Sequence, residues 1–294
     1  MNKLIIKDIC KTYPNGVKAL DNLNLELENG LFGLLGPNGA GKSSFMRTLA
    51  TLQEADSGTA TLNDIDIFKT PTELRKVLGY LPQEFGVYPR ITAEQLLDHM
   101  AILKGITDKK QRKEEVDYLL NKVNLYEKRK HSVKKFSGGM KQRVGIAQAL
   151  IGNPKLIIVD EPTAGLDPGE RNRFYNLLAD VGEEVIVILS THIVEDVKEL
   201  CTKMAIMSSG KITYQGTPKN AIDELEGKVY QKIIGRKELE DYASKYSIIS
   251  NKMVGGKPLI HVFSDTEIGE GFEAVRPDLE DVFFSQINTN FQIV

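Results

Sequence analysis

Leu23, Leu25 and Leu27 alternate with polar residues in NLNLELENG, the two-residue period of a strand with one buried face. With KLIIKDI ahead of it, this stretch predicts an antiparallel sheet at the N-terminus. From GLFGLLG (30–36) the pattern changes to short runs that are apolar throughout, continuing with LIIV (156–159), VIVIL (185–189) and MAIM (204–207). Strands buried on both faces belong to a parallel sheet covered by helices, and stretches of helical spacing do separate these runs. The segment from about 94 to 153 reads as mostly helical and as an insertion between core strands. SSGK (208–211) predicts a hairpin turn. After YQGTP (214–218) the pattern resets. KVYQKII, SIISNKMV and PLIHVFS read as strands, GGK as a turn between the last two, and PDLEDVFFSQI as a helix capped by Asp278. Leu279, Val282, Phe283 and Ile287 give that helix an apolar face, which predicts the core of a small terminal domain.

The longest apolar run, VIVIL, is far short of the roughly 20 residues that a membrane-spanning helix needs. MNKLIIKDIC has no signal-peptide apolar region. Any membrane role is therefore expected to run through a partner. The 294 residues, 41% of them hydrophobic, suffice for one large core and a smaller second one. Thirty-eight basic against 40 acidic residues leave a net charge of −2, without the surplus of a general nucleic-acid binder, so no nucleic-acid partner is expected. Cys10 and Cys201 lie far apart without metal-ligand spacing and read as free buried thiols.

The chemistry is concentrated in GPNGAGKSS, which spans Gly36, Pro37, Asn38, Gly39, Ala40, Gly41, Lys42, Ser43 and Ser44. It follows a predicted strand and opens a helix in which Phe45, Leu49 and Leu52 recur at helical spacing, the context a phosphate-binding loop requires. Its glycines let backbone N–H groups converge on an anion, and the helix N-terminus adds partial positive charge. Lys42 can reach β- and γ-phosphates, and the Ser43 hydroxyl can ligate Mg²⁺. The matching acid is expected at the end of a buried strand, where KLIIVDEP supplies Asp160 for Mg²⁺ and Glu161 as base or positioner of a water. VIVILSTH ends a further parallel strand at His192, which this order of motifs places near the γ-phosphate. Together these features predict an α/β fold with a P-loop NTPase core. Its mixed sheet carries N-terminal antiparallel strands, a helical subdomain is inserted at about 84–153, and a small C-terminal α+β domain follows. The boundary is expected near Pro218, giving a nucleotide-binding domain over 1–217 and an accessory domain over 218–294.

Over roughly residues 3 to 217 the chain resembles the ATP-binding cassette (ABC) family of transport ATPases, with the motifs in family order. That resemblance implies ATP and Mg²⁺ as cofactors. It makes Tyr13 the aromatic that stacks on adenine, and Gln83 a ligand of Mg²⁺ or the catalytic water in a loop that abuts a membrane partner. Phe85, Tyr88 and Ile91, which follow, fit either insertion core or a docking groove. Asp167 in AGLD resembles the D-loop of the dimer interface, and His192 the switch histidine. FSGGMKQR resembles the family signature, in which Ser137, Gly138 and Gly139 bind the γ-phosphate held by a second subunit, a copy or a sister ATPase. Behind it, Met140, Val144, Ala147 and Ile151 predict a buried stripe, with Lys141 and Arg143 off it. The basic run EKRKHSVKK before it reads as a solvated face. Met140, where Gln is usual, and RPDLEDVFF (276–284) resemble the branch of bacterial drug, antibiotic-peptide and polysaccharide exporters. The resemblance thus implies an ATPase subunit at the cytoplasmic face of the cell membrane, powering a polytopic permease. Importer ATPases share the catalytic motifs. Non-transport relatives usually carry two cassettes or a long coiled-coil insertion, neither of which is found here.

Overall fold

The computed structural model describes residues 1–83, 86, 90–269 and 271–287. The first five strands are β1 (Lys3–Thr12), β2 (Lys18–Glu28), β3 (Gly30–Leu35), β4 (Ser57–Leu62) and β5 (Ile65–Asp66). Four of them form the expected antiparallel N-terminal sheet, in the order β2-β1-β4-β5. Leu25 and Leu27 of β2 pair with Ile6 and Leu4 of β1, and all four are buried. The alternation thus sends one leucine in two inward, as its period requires. β4 and β5 were not predicted, because only Ala60 and Leu62 of β4 are buried and the period is too short to read.

The polar loop after β3 leads into helix α1 (Lys42–Leu49), and α2 (Pro71–Val77) precedes β6 (Leu78–Leu81). α1 ends sooner than its spacing suggested. Thr51 lies at φ +56, and Leu52 is 60% exposed rather than on the buried face with Phe45 and Leu49. β6 joins β7 (Leu156–Asp160), β8 (Ile186–Thr191), β9 (Lys203–Ser208) and β10 (Lys211–Gly216) in a six-stranded sheet of order β10-β9-β3-β8-β7-β6. All its ladders are parallel except β9–β10, the hairpin that SSGK predicted. Every residue of β7 and β8 is buried, which accounts for their continuous apolar runs. LGYL of β6 carries no legible strand pattern, because Gly79 and Tyr80 interrupt it. Gly79 is needed there, since a Cβ would run into the Ala149 carbonyl.

The insertion holds α3 (Ala93–Leu103), α4 (Lys109–Lys122) and α5 (Gly138–Leu150), all within the largest apolar core. Each starts at a side-chain cap: Thr92 in a box with Gln95, Asp108 on Gln111 N, and Ser137 on Met140 N. Val144 and Ala147 are buried as expected; Ile151 is buried but lies just past the helix, and Met140 is only partly covered. Arg143, off the stripe, has a side chain only 14% exposed, donates to Val123 O at 3.3 Å and pairs with Glu170 at 3.4 Å. At the other end of the insertion Lys104 donates to the carbonyls of Arg75 (2.8 Å) and Leu78, and burial lowers its pKa to about 8.

Helices α6 (Pro168–Gly182) and α7 (Val194–Leu200) flank β8, and α8 (Pro218–Asp223) follows β10. The C-terminal segment adds β11 (Val229–Ile233), α9 (Leu239–Lys245), β12 (Ser247–Val254), β13 (Lys257–Phe263), β14 (Glu273–Ala274) and α10 (Leu279–Ile287). Its strands form a separate antiparallel sheet, β12-β13-β11-β14, over a core of Ile234, Ile248, Ile260 and Val262. α10 does not fill that core, as its apolar face suggested. Leu279, Val282 and Phe283 join the large core with Val197, Met204 and Ala221. A buried pair ties α10 back to the small sheet, His261 Nδ1 standing 2.7 Å from Asp281 Oδ1. Burial would raise the Asp281 pKa, but hydrogen bonds from His261 and the Asp278 N–H outweigh it and hold it below its ordinary value. Among the described residues no helix is long and apolar enough to cross a membrane.

Candidate functional site

The loop between β3 and α1 carries Gly39 and Gly41 at φ +82 and +105, left-handed conformations that residues with a Cβ avoid. Gly36 and Gly41 are also pressed against other backbone, where a Cβ would meet the Met207 and Ala19 carbonyls. The β9–β10 turn buttresses the loop, Gly210 N–H donating to Ala40 O at 2.9 Å. The turn was legible as a turn, but its place against the loop was not.

A cleft of about 550 Å³ opens on this loop, lined by Asn38, Gly39, Gly41, Lys42, Ser43 and Ser44 on one side. Tyr13, Gln83, Glu161 and His192 also line it, with the unpredicted Val17, Lys18, Ala19, Ser209 and Gly210. Lys42 is 6% exposed and donates to Gly36 O (2.7 Å) and Pro37 O (3.2 Å). Burial lowers its pKa, against the opposing pull of Glu161 and Asp160. Glu161 Oε1 is 3.5 Å from Lys42 Nζ, and its Oε2 is 2.7 Å from His192 Nδ1. One buried carboxylate therefore joins the loop lysine to a half-exposed histidine. Asp160 is 3% exposed, and among the described residues its Oδ1 has no hydrogen-bond partner. A buried, unused carboxylate oxygen beside a phosphate-type loop fits a divalent cation as ligand.

Behind these residues lies a buried polar knot that the sequence did not suggest. Asp196, fully buried, accepts from Thr163 (2.6 Å), Thr191 (2.8 Å) and Tyr175 (2.5 Å). It pins the ends of β7 and β8 to α6 and α7, and burial together with Asp196 pushes the Tyr175 pKa up.

Other expected residues stand apart. Among the described residues lining the cleft there is no Ser137, Gly138, Gly139 or Asp167. Ser137 caps α5, Gly138 has open space around its Cα, Gly139 packs on Glu170, and Asp167 caps α6 through Glu170 N at 2.9 Å. Ile91 packs on the large core, which favours insertion core for that position; Phe85 and Tyr88 lie outside the described residues.

A parallel sheet with a phosphate-type loop after β3 and an acid at the end of a nearby strand defines a P-loop NTPase fold. Comparison with known proteins narrows the class. The family profile described as "ABC transporter" matches residues 20–164. "Uncharacterized ABC transporter ATP-binding protein YxlF" of Bacillus subtilis is 30% identical over 302 residues, covering 97% of this chain and 99% of its own. "Probable multidrug ABC transporter ATP-binding protein YbhF" of Escherichia coli is 35% identical over 229 residues, 76% of this chain; the chain spans 39% of the length of that relative. "Methionine import ATP-binding protein MetN" of Helicobacter hepaticus is 37% identical over 221 residues, covering 72% of this chain and 62% of its own. The solved structure titled as a dimeric post-hydrolysis state of the ATP-binding cassette MJ0796 bound to ADP and Pi aligns with a TM-score of 0.67 at 26% identity. It covers 73% of this chain and 98% of its own. The chain belongs to the ABC transporter family, and its fold is that of the family's ATPase cassettes.

Proposed function

We propose that the chain is the ATP-binding and hydrolysing subunit of an ABC exporter. In this reading residues 1–217 are its nucleotide-binding domain, with a helical subdomain at about 84–153, and 218–294 an accessory domain. The observation that carries it is the run of contacts from Lys42 through Glu161 to His192 along one cleft, beside the unused oxygen of Asp160. The triphosphate of ATP enters the loop of Gly36, Pro37, Asn38, Gly39, Ala40 and Gly41, where backbone N–H groups and Ser44 bind its oxygens. Lys42 exchanges its loop carbonyls for the β- and γ-phosphates, and Tyr13 stacks on adenine. Ser43, Asp160 and Gln83 would hold Mg²⁺, which supplies charge neutralisation at the phosphates. Glu161 accepts the proton of the attacking water, and His192, bonded to its other oxygen, keeps that carboxylate aimed.

Ser137, Gly138 and Gly139 meet the γ-phosphate held by a second copy or a sister ATPase, with Asp167 at the same interface. Hydrolysis removes that link and the dimer reopens, a population shift that a polytopic permease takes up at the cytoplasmic face of the membrane. Met140 and the PDLEDVFF ending support the exporter branch, as does the likeness to YbhF, named a multidrug protein. Glu161→Gln should keep ATP affinity within about twofold while turnover falls by roughly 10²- to 10⁴-fold, the span of one general base. Full turnover in that variant would remove Glu161 from the mechanism. Transport assayed in vesicles with the co-purified permease fixes the direction, and uptake in place of efflux would make the chain an importer subunit.

A further inference from the structure

The Tyr13 hydroxyl has two partners, Ser44 Oγ at 2.9 Å and Gln53 Oε1 at 3.0 Å. The Gln53 amide cannot be turned round. Its nitrogen donates to Ser44 O (2.9 Å) and to Thr48 Oγ1 (2.8 Å), and Thr48 is fully buried and itself donates to Ser44 O at 2.8 Å. Reversing the amide would set its oxygen against the Ser44 carbonyl. Gln53 Oε1 therefore accepts, and the single proton of Tyr13 is committed to it. The Ser44 hydroxyl in turn donates to the Tyr13 oxygen. Every proton in the chain Ser44–Tyr13–Gln53–Thr48 thus has one place to be.

This chain links the start of α1 to Tyr13, another residue that lines the cleft. Ser44 is in the first turn of α1, and Tyr13 is 31 residues earlier, just past β1. Gln53 is not among the described residues that line the cleft, so it touches the site only through Tyr13 and α1. We propose that Gln53 is a positioning residue for nucleotide: it holds the Tyr13 ring in the orientation that receives the base. The inference rests on the reading of Tyr13 as the platform for adenine. When a phosphate oxygen claims the Ser44 hydroxyl, Tyr13 keeps its bond to Gln53, so filling the phosphate end leaves the platform in place. A ring fixed before binding loses little rotational freedom on binding, which is the gain from preorganisation.

The test uses the full chain, measuring ATP hydrolysis against ATP concentration, with inorganic tripolyphosphate as a competitor that reports on the phosphate end alone. Gln53→Leu should raise KM for ATP roughly three- to tenfold, the range of one net hydrogen bond. Its kcat and its tripolyphosphate inhibition constant should stay within about twofold of the parent. Tyr13→Phe, which deletes one oxygen and keeps the ring, should raise KM by the same factor. The double variant should raise KM no further than Gln53→Leu alone, since both single changes already break the Tyr13–Gln53 bond and it can be lost only once. Equal losses for ATP and tripolyphosphate in Gln53→Leu, or additive effects in the double variant, would overturn the proposal by showing that Gln53 merely supports α1. Tyr13→Ala separates the two levels. If it raises KM while Gln53→Leu does not, the platform stands and its anchoring by Gln53 falls. If neither does, the platform reading itself falls, and the inference with it.

Discussion

Glu161 sits at φ +49 directly after a strand whose five residues are all buried. Such a backbone costs a residue with a Cβ about 1–3 kcal/mol. The turn lets its N–H bond to Ser190 O at 2.9 Å while its carboxylate meets both Lys42 and His192. What holds the strained segment is the knot on Asp196, which grips Thr163 two residues after Glu161 and Thr191 one residue before His192. Tyr175→Phe removes one of the three donors to that buried carboxylate and should cost about 1.5–3 kcal/mol in urea unfolding, the worth of a hydrogen bond to a charged group. A loss under about 0.5 kcal/mol, the range of an ordinary surface change, would mean that Asp196 is satisfied without it. Lys42, Ser43, Asp160, Glu161 and His192 were legible because their chemistry imposes local order: a Gly-rich loop before a helix, an acid or a histidine after an apolar strand. Asp196 and Gln53 were not. Each depends on at least one partner far off in sequence, Thr163 and Tyr175 at 33 and 21 residues from Asp196 and Tyr13 at 40 from Gln53, and no local pattern marks either residue as more than a surface polar group.

Elements with a strong period or a continuous apolar run, β2, β3, β7, β8 and β9, stand where their patterns put them, whereas β6 hides behind Gly79 and Tyr80. The last helix shows why period alone cannot assign a partner. An apolar face states that α10 must be covered, not by what, and two cores lie within its reach. Phe283 is 6% exposed and belongs to the larger one, with Leu279 and Val282. Phe283→Ala should therefore cost about 3–5 kcal/mol. Only the unit that binds ATP has a midpoint raised by the nucleotide. The loss should fall on that ATP-sensitive transition in thermal scans with and without ATP. Were it confined to an ATP-insensitive transition, α10 would be energetically part of the small sheet despite its packing. Ile260→Ala, within the small core, is the internal contrast: its loss should leave the ATP-sensitive transition in place.

On the proposed two-subunit reading, the molecule as a whole presents the two halves of a nucleotide site on separate surfaces. One half is the cleft at the end of the central sheet. The other is the start of α5, a 13-residue helix whose first N–H groups have no partner within the helix and carry its partial positive charge. Ser137 caps it from outside, and a Cβ on Gly138 would meet nothing within 4 Å, so the chain leaves that end open. Gly139 and Arg143 meanwhile pack the same helix against Glu170 of α6, the helix that Asp167 caps, so both elements proposed for the interface are in direct contact. Anion binding at such an end needs close backbone approach, which a long side chain at the cap obstructs. Ser137→Arg should thus leave ATP affinity of the single chain within about twofold, since its own loop is untouched, and lower hydrolysis by at least roughly tenfold, about 1.4 kcal/mol of lost stabilisation at the reacting phosphate. Introduced into Glu161→Gln, it should also abolish the ATP-dependent dimer that light scattering is expected to detect for Glu161→Gln alone. Weakened binding in parallel with lost hydrolysis would place Ser137 in its own chain's site and end the two-subunit reading. Retained hydrolysis with no ATP-dependent dimer in either background would end it equally, since a single chain would then suffice for turnover.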